Sequence, residues 1–119
     1  MLTSYRELIV WQKSVELVIE IYRLTSLYPK EELYGLTSQS RRAAVSIPSN
    51  IAEGYTRKHR PEYLQFVRIA FASGAELETH IVIAKKLQLS DQNEFLKTGE
   101  KLSEIMKMLN GLIESLIKT

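Results

Sequence analysis

The chain has 119 residues, 45% hydrophobic and 25% charged, with a net charge of +2 and no cysteine. That is one domain's worth of chain with an ordinary soluble balance; it excludes disulfides, thiolate metal sites and binding that relies on net positive charge alone. The apolar run from Leu8 to Val10, continued by Trp11, is broken by Gln12 and Lys13, and no window approaches the ~18 apolar residues of a membrane span. A cytoplasmic protein with a single domain over residues 1–119 is expected.

Helix 1 is expected from Ser4, or one turn later, to near Leu24, because Ser4 and Glu7 have capping-box spacing. Two apolar stripes run along it at about 100° per residue. Trp11, Val15, Val18, Ile19 and Tyr22 form one, read as the core; Val10, Leu17, Ile21 and Leu24 form another on nearly the opposite side. Tyr28-Pro29 interrupts the chain, and Glu31 and Glu32 suit the positive end of the next helix dipole.

Helix 2 is expected over residues 32–55, with a kink where Pro48 removes a backbone donor and a stop at Gly54. Leu36, Ala43, Ala44, Ile47, Ile51 and Gly54 face the core. Gln39, Arg42, Ser46, Ser49, Asn50 and Glu53 form a polar stripe, open to two readings: a solvated face, or a hydrogen-bonded seam between subunits or helices.

Arg57-Lys58-His59-Arg60 forms the next turn, and Pro61 suits the first position of helix 3, which runs to about Leu87. Its core stripe is Tyr63, Phe66, Val67, Ala70, Gly74, Leu77 and Ile81. Leu64, Phe71, Ala75 and Val82 lie about a quarter-turn away. Ser90 and Asp91 cap helix 4, which buries Leu102, Ile105, Met106, Leu109, Leu112, Ile113 and Leu116 and ends near Ile117. The fold class is therefore all-α, an antiparallel up-down-up-down four-helix bundle.

A bundle helix normally buries one stripe, so the second stripes are either scattered surface apolars or subunit contacts. Their regular spacing favours contacts. The expected subunit interface is Val10, Leu17, Ile21 and Leu24 of helix 1 with Leu64, Phe71 and Val82 of helix 3.

The stretch Leu36-Thr37-Ser38-Gln39, then Arg41 through Gly54 (Arg-Arg-Ala-Ala-Val-Ser-Ile-Pro-Ser-Asn-Ile-Ala-Glu-Gly), resembles the signature of a four-helix-bundle family. That family includes proteins encoded by intervening sequences in bacterial large-subunit ribosomal RNA genes. Val10-Trp11-Gln12-Lys13 resembles its first helix and Glu76-Leu77-Glu78-Thr79-His80 its third. Ala72-Ser73-Gly74 departs slightly from the family's Gly-Ser. The resemblance implies a homo-oligomer, typically a pentameric ring, and kinship with accessory proteins of diversity-generating retroelements, which bind nucleic acid and a reverse transcriptase. Most members have no assigned biochemical role.

Chemistry is sparse. Glu76 and His80 share a helix face, but neither histidine has the Glu-x-x-His spacing of a di-iron bundle, and a helix-surface hydrogen bond is expected for His80. No phosphate loop, nucleophile elbow or zinc-protease motif occurs. Neither an enzyme nor a cofactor is expected. Gly74 inside helix 3 marks a close helix approach. The one ligand-capable constellation is basic: Arg57, Lys58, His59 and Arg60, with Arg41, Arg42 and Arg68 on adjoining helices, a set that neutralises phosphates and whose field grows if a ring repeats it. Two functions follow: a ring-shaped adaptor for RNA or DNA, or a protein-binding scaffold with no nucleic-acid role. Under either, circular dichroism is expected to show a dominantly helical spectrum, and a measurable strand fraction would end the bundle reading.

Overall fold

Local chemistry marks where the last two helices begin. Asp91 accepts a hydrogen bond from the Glu94 N–H at 3.0 Å and opens the last helix. Pro61, with no N–H to lose, sits in the first turn of the third. Ser4 caps only a short 3-10 turn, Tyr5–Glu7, because the Glu7 carboxylate turns to the Thr3 hydroxyl at 2.6 Å and does not complete the capping box. The computed structural model describes residues 2–118, and these form α1 (Ile9–Thr25), α2 (Ser38–Thr56), α3 (Arg60–Lys86) and α4 (Gln92–Ile117). No strand occurs among the described residues.

α2 starts six residues later than its periodicity suggests. A 3-10 turn at Lys30–Glu32 and a π-helical turn at Leu33–Thr37 precede it, and Gly35 takes a non-helical backbone (φ −113°, ψ −115°). Its end differs too. The helix passes through Gly54 to Thr56, and Lys58 supplies the left-handed residue (φ 53°) that turns the chain. Pro48 lies buried inside the continuous helix.

Cross-links between the helices run in opposite order along each neighbouring pair. Tyr55 reaches the Leu2 carbonyl and Arg41 reaches Thr25, so α1 and α2 are antiparallel. Ser46 meets Ser73 while Gly54 lies under Phe66, so α2 and α3 are antiparallel. Gly74 faces Met106 while Arg60 reaches Ser115, and Lys13–Glu104 with Arg23–Glu94 closes α4 on α1. The up-down-up-down bundle follows.

The inward stripe of α1 is the reverse of the expected one. Leu17, Ile21 and Leu24 are fully buried and Val10 nearly so, inside their own subunit, which removes all four from the candidate subunit interface. Ile19 and Tyr22 are exposed, and Trp11, Val15 and Val18 are only half-buried. The physical reason is packing depth. α2 presents Ala43, Ala44, Ile47 and Ile51, all fully buried, and slim aliphatic side chains fit against that low surface better than a broad indole or a phenol needing a hydrogen bond. α4 contributes Leu102, Ile105 and Leu109 as expected, with Met106, Leu112, Ile113 and Leu116 half-buried around them.

Gly54 sets the spacing of α2 and α3, whereas Gly74 faces the flexible end of Met106. A Cβ on Gly54 would stand 2.6 Å from the Phe66 Cβ and 3.3 Å from the Tyr63 carbonyl oxygen. Those atoms belong to or adjoin the α3 backbone and cannot swing aside. Gly54→Ala would gain up to about 1 kcal/mol of helix propensity, yet forced overpacking costs about 1–3 kcal/mol. The expected outcome is net destabilisation, read as a lower urea midpoint; a raised midpoint would show that α2 and α3 can separate without cost.

Candidate nucleic-acid interface

The cations grouped by the sequence fall at two places. Arg41 and Arg57 lie about 24 Å apart along one helix, so one ligand patch does not contain both. At the α1–α2 connection the Arg41 guanidinium stacks over the Tyr22 ring, 4.4 Å from its centroid, and donates to the Thr25 hydroxyl at 2.9 Å. Arg42 pairs with Glu76 of α3. Both are spoken for.

The other basic group, at the α2–α3 turn, keeps Arg57, Lys58, His59, Arg60 and Arg68 on one end of the bundle. Arg57 pairs with Glu53 (3.1 Å) and Glu62 (3.4 Å) and covers the Phe66 ring. His59 Nδ1 lies 3.0 Å from Glu62. Arg60 donates to the carbonyls of Leu116 and Ser115, both at 3.0 Å, satisfying the C-terminal carbonyls of α4 and placing a cation at its negative end. Lys58 and Arg68 are exposed. A cleft beside this turn is lined by Tyr55, Lys58, His59, Arg60, Tyr63 and Leu116, and a neighbouring one by Arg60, Pro61, Leu64, Arg68, Leu116 and Ile117. The sequence reading gave Tyr63 and Leu116 only core roles and passed over Tyr55, because the cleft forms only when the end of α4 folds back over the turn.

The polar stripe of α2 is an internal seam for part of its length. The Ser46 and Ser73 hydroxyls meet at 2.9 Å, and the Asn50 amide donates to the Ser46 carbonyl (2.8 Å) and hydroxyl (2.9 Å). Arg42 extends the seam to Glu76. Gln39 and Ser49 face outward, and Glu53 pairs within its own helix with Arg57. Of the helix 3 interface candidates, Leu64 and Phe71 are half-buried and Val82 is exposed.

His80 is not at the surface. It is buried at 7% exposure, with Nδ1 lacking a hydrogen-bond partner and Nε2 3.6 Å from the Glu76 carboxylate. Desolvation lowers its pKa; Glu76 opposes that shift and Arg42 reinforces it. Among the described residues no three His, Asp or Glu side chains gather as metal ligands would, and no helix is long and apolar enough to cross a membrane.

A family model described as "23S rRNA-intervening sequence protein" matches residues 6–111. The fold also matches the crystal structure of a protein of unknown function from the S23 ribosomal protein family of Bacteroides thetaiotaomicron VPI-5482. The TM-score is 0.82 at 22% sequence identity, covering 93% of this chain and all of that one. At that identity the likeness is one of fold. No curated protein matches the chain.

The buried imidazole makes stability depend on pH. An unfolded histidine takes up a proton near pH 6.5, whereas His80 in the bundle resists it. The unfolded chain therefore binds more protons below that pH. The stability contributed by neutral His80 is complete above about pH 6.5 and declines as pH falls through it. The urea midpoint is expected to drop between about pH 8 and about pH 5.5, and the drop to shrink in His80→Leu. An equal drop in that variant would place the pH dependence elsewhere.

Proposed function

The chain belongs to the 23S rRNA-intervening sequence protein family, and from that premise we propose that it works without enzymatic chemistry, as a homo-oligomeric bundle that brings a basic end to RNA or DNA. The observation that carries the assembly is the outward face of α1. Ile19 is 66% exposed and Tyr22 44%, with Trp11, Val15 and Val18 half-buried beside them and Val45 of α2, 41% exposed, across the groove. These side chains form a line on one side of the molecule, and lined-up apolar residues on a soluble bundle suit helix packing against a second copy. The family resemblance implies a closed ring of five, and a rotationally repeated heterologous contact must either close in this way or grow into a filament.

Nucleic-acid contact belongs to the α2–α3 turn. Lys58 and Arg68 are exposed there, and Arg60 keeps its charge while capping α4. Ring assembly repeats that end around an axis and sums its field. One observation favours the rival, a protein-binding scaffold with no nucleic-acid role: Arg41, Arg42 and Arg57 each have partners within the chain, which reduces their capacity for phosphates. Salt separates the two readings, because phosphate contacts weaken steeply as it rises.

Replacing Ile19 and Val45 together by glutamate is the test of assembly. Both are exposed in the single subunit, so its stability is expected to change by no more than about 0.5 kcal/mol per site. In a desolvated contact the added charges would be costly, and separation of the subunits relieves them. Light scattering is expected to give the wild type as a multiple of 13.7 kDa, with five copies, and the variant as a smaller, helical species. A monomeric wild type would defeat the proposal. Leu17→Ala serves as the contrast: it removes a core side chain, costs about 2–5 kcal/mol and leaves the outer face alone.

A further inference from the structure

The cleft at the basic end combines two kinds of surface that rarely meet without a ligand. Its walls are largely apolar, formed by Tyr55, Tyr63 and Leu116, and its rim carries Lys58, His59 and Arg60. The two tyrosine rings stand edge to face, with centroids 5.7 Å apart and planes at 90°. Tyr55 is anchored by donating its hydroxyl to the Leu2 carbonyl at 3.2 Å, and burial pushes the Tyr63 phenol up to about 12, so it stays neutral. Arg60 is fixed by its two bonds to the end of α4, and the left-handed backbone at Lys58 leaves its ammonium exposed beside the cleft. The aromatic walls and Arg60 are thus held in place before any ligand arrives.

We propose that this cleft binds an unpaired nucleotide of a single-stranded nucleic acid, its base against the Tyr55–Tyr63 wall and its phosphate toward Lys58 and Arg60. The inference rests on the basic end being a nucleic-acid surface and adds which form it takes. A purely electrostatic surface would hold duplex and single strand alike, since both offer phosphates. An aromatic wall distinguishes them, because a base inside a duplex has both faces stacked and cannot enter. The adjoining cleft, with Arg60 and Arg68 above Leu64 and Leu116, continues the same mixture along α3 and gives the strand a path past one nucleotide.

Fluorescence anisotropy on the whole protein, with a labelled oligouridylate of about 16 nucleotides and an RNA duplex of equal length at one salt concentration, tests the proposal. The single strand is expected to bind more tightly. Tyr63→Leu is expected to weaken it by about fivefold to a hundredfold while leaving duplex binding unchanged. Because Tyr63 also packs against the core, Tyr55→Leu on the same wall is the second variant, each checked for helicity by circular dichroism. Lys58→Gln is expected to make the salt dependence shallower for both probes. Equal binding of the two probes, unaffected by folded tyrosine variants, would overturn the unpaired-nucleotide site and leave the basic end as a charge-only surface. Binding of neither probe would remove the nucleic-acid reading itself, and this inference with it.

Discussion

The close approach of α2 to α3 is the constraint on which the other positions depend. Gly54 stands against Phe66 and Tyr63 of α3, and the hydroxyls of Ser46 and Ser73 meet, so little side-chain volume separates the two backbones there. Helices that near one another gain dispersion contacts along their length, but they also fix what can stand beside them. Leu17, Ile21 and Leu24 of α1 fill the remaining space from one side and Leu102, Ile105 and Leu109 of α4 from the other. The serine pair at 2.9 Å belongs to the same closeness, since short hydroxyls meet only where backbones are near. So the polar seam and the small-residue contact are one feature.

Several arginines in this molecule are committed to architecture. Arg23 bridges Glu20 and Glu94, and that hydrogen bond holds the Glu20 carboxyl below its usual range despite its burial. Arg41, Arg42 and Arg57 each tie one element to a neighbour or stabilise a helix end. Exposed pairs of this sort contribute little each, ~0–1 kcal/mol, so they matter more for orientation than for stability. Arg60 holds a helix terminus by backbone carbonyls and not by a carboxylate, so its positive charge is not cancelled by a counter-charge.

The fold class, the helix count and the α4 core were legible because helical periodicity and caps are local signals. Asp91 and Pro61 mark helix starts by chemistry confined to one turn. What was not legible was the choice between two equally apolar stripes on α1. Helical spacing fitted both, and the stripe with Trp11 and Tyr22 was read as the core, but the deciding factor was the shape of α2, a tertiary fact that no period on α1 carries. The α2 start was hidden for a related reason: Gly35 interrupts the helix through its backbone, leaving the apolar pattern intact across it. His80 looked like a surface residue because its neighbours Glu78 and Thr79 are polar and exposed, whereas the position itself turns toward the interior. The basic cluster was visible as composition, and its separation into two ends was not.

The Arg60 cap on α4 joins residues 56 apart in sequence, and the Arg23–Glu94 bridge joins residues 71 apart, whereas Gly54 and Phe66 meet across a single short turn. Chain entropy ranks these closures. A short loop costs least to close, and each doubling of loop length adds about 0.6 kcal/mol before its contacts return anything. The α2–α3 hairpin is accordingly the cheapest long-lived unit to assemble, with α1 and α4 docking onto it from opposite ends of the chain. The same ranking orders the reverse process. The last turn of α4, held by the Arg60 guanidinium and by Leu116 against the core, closes after that hairpin, so its amides are expected to exchange sooner than those of α2 and α3.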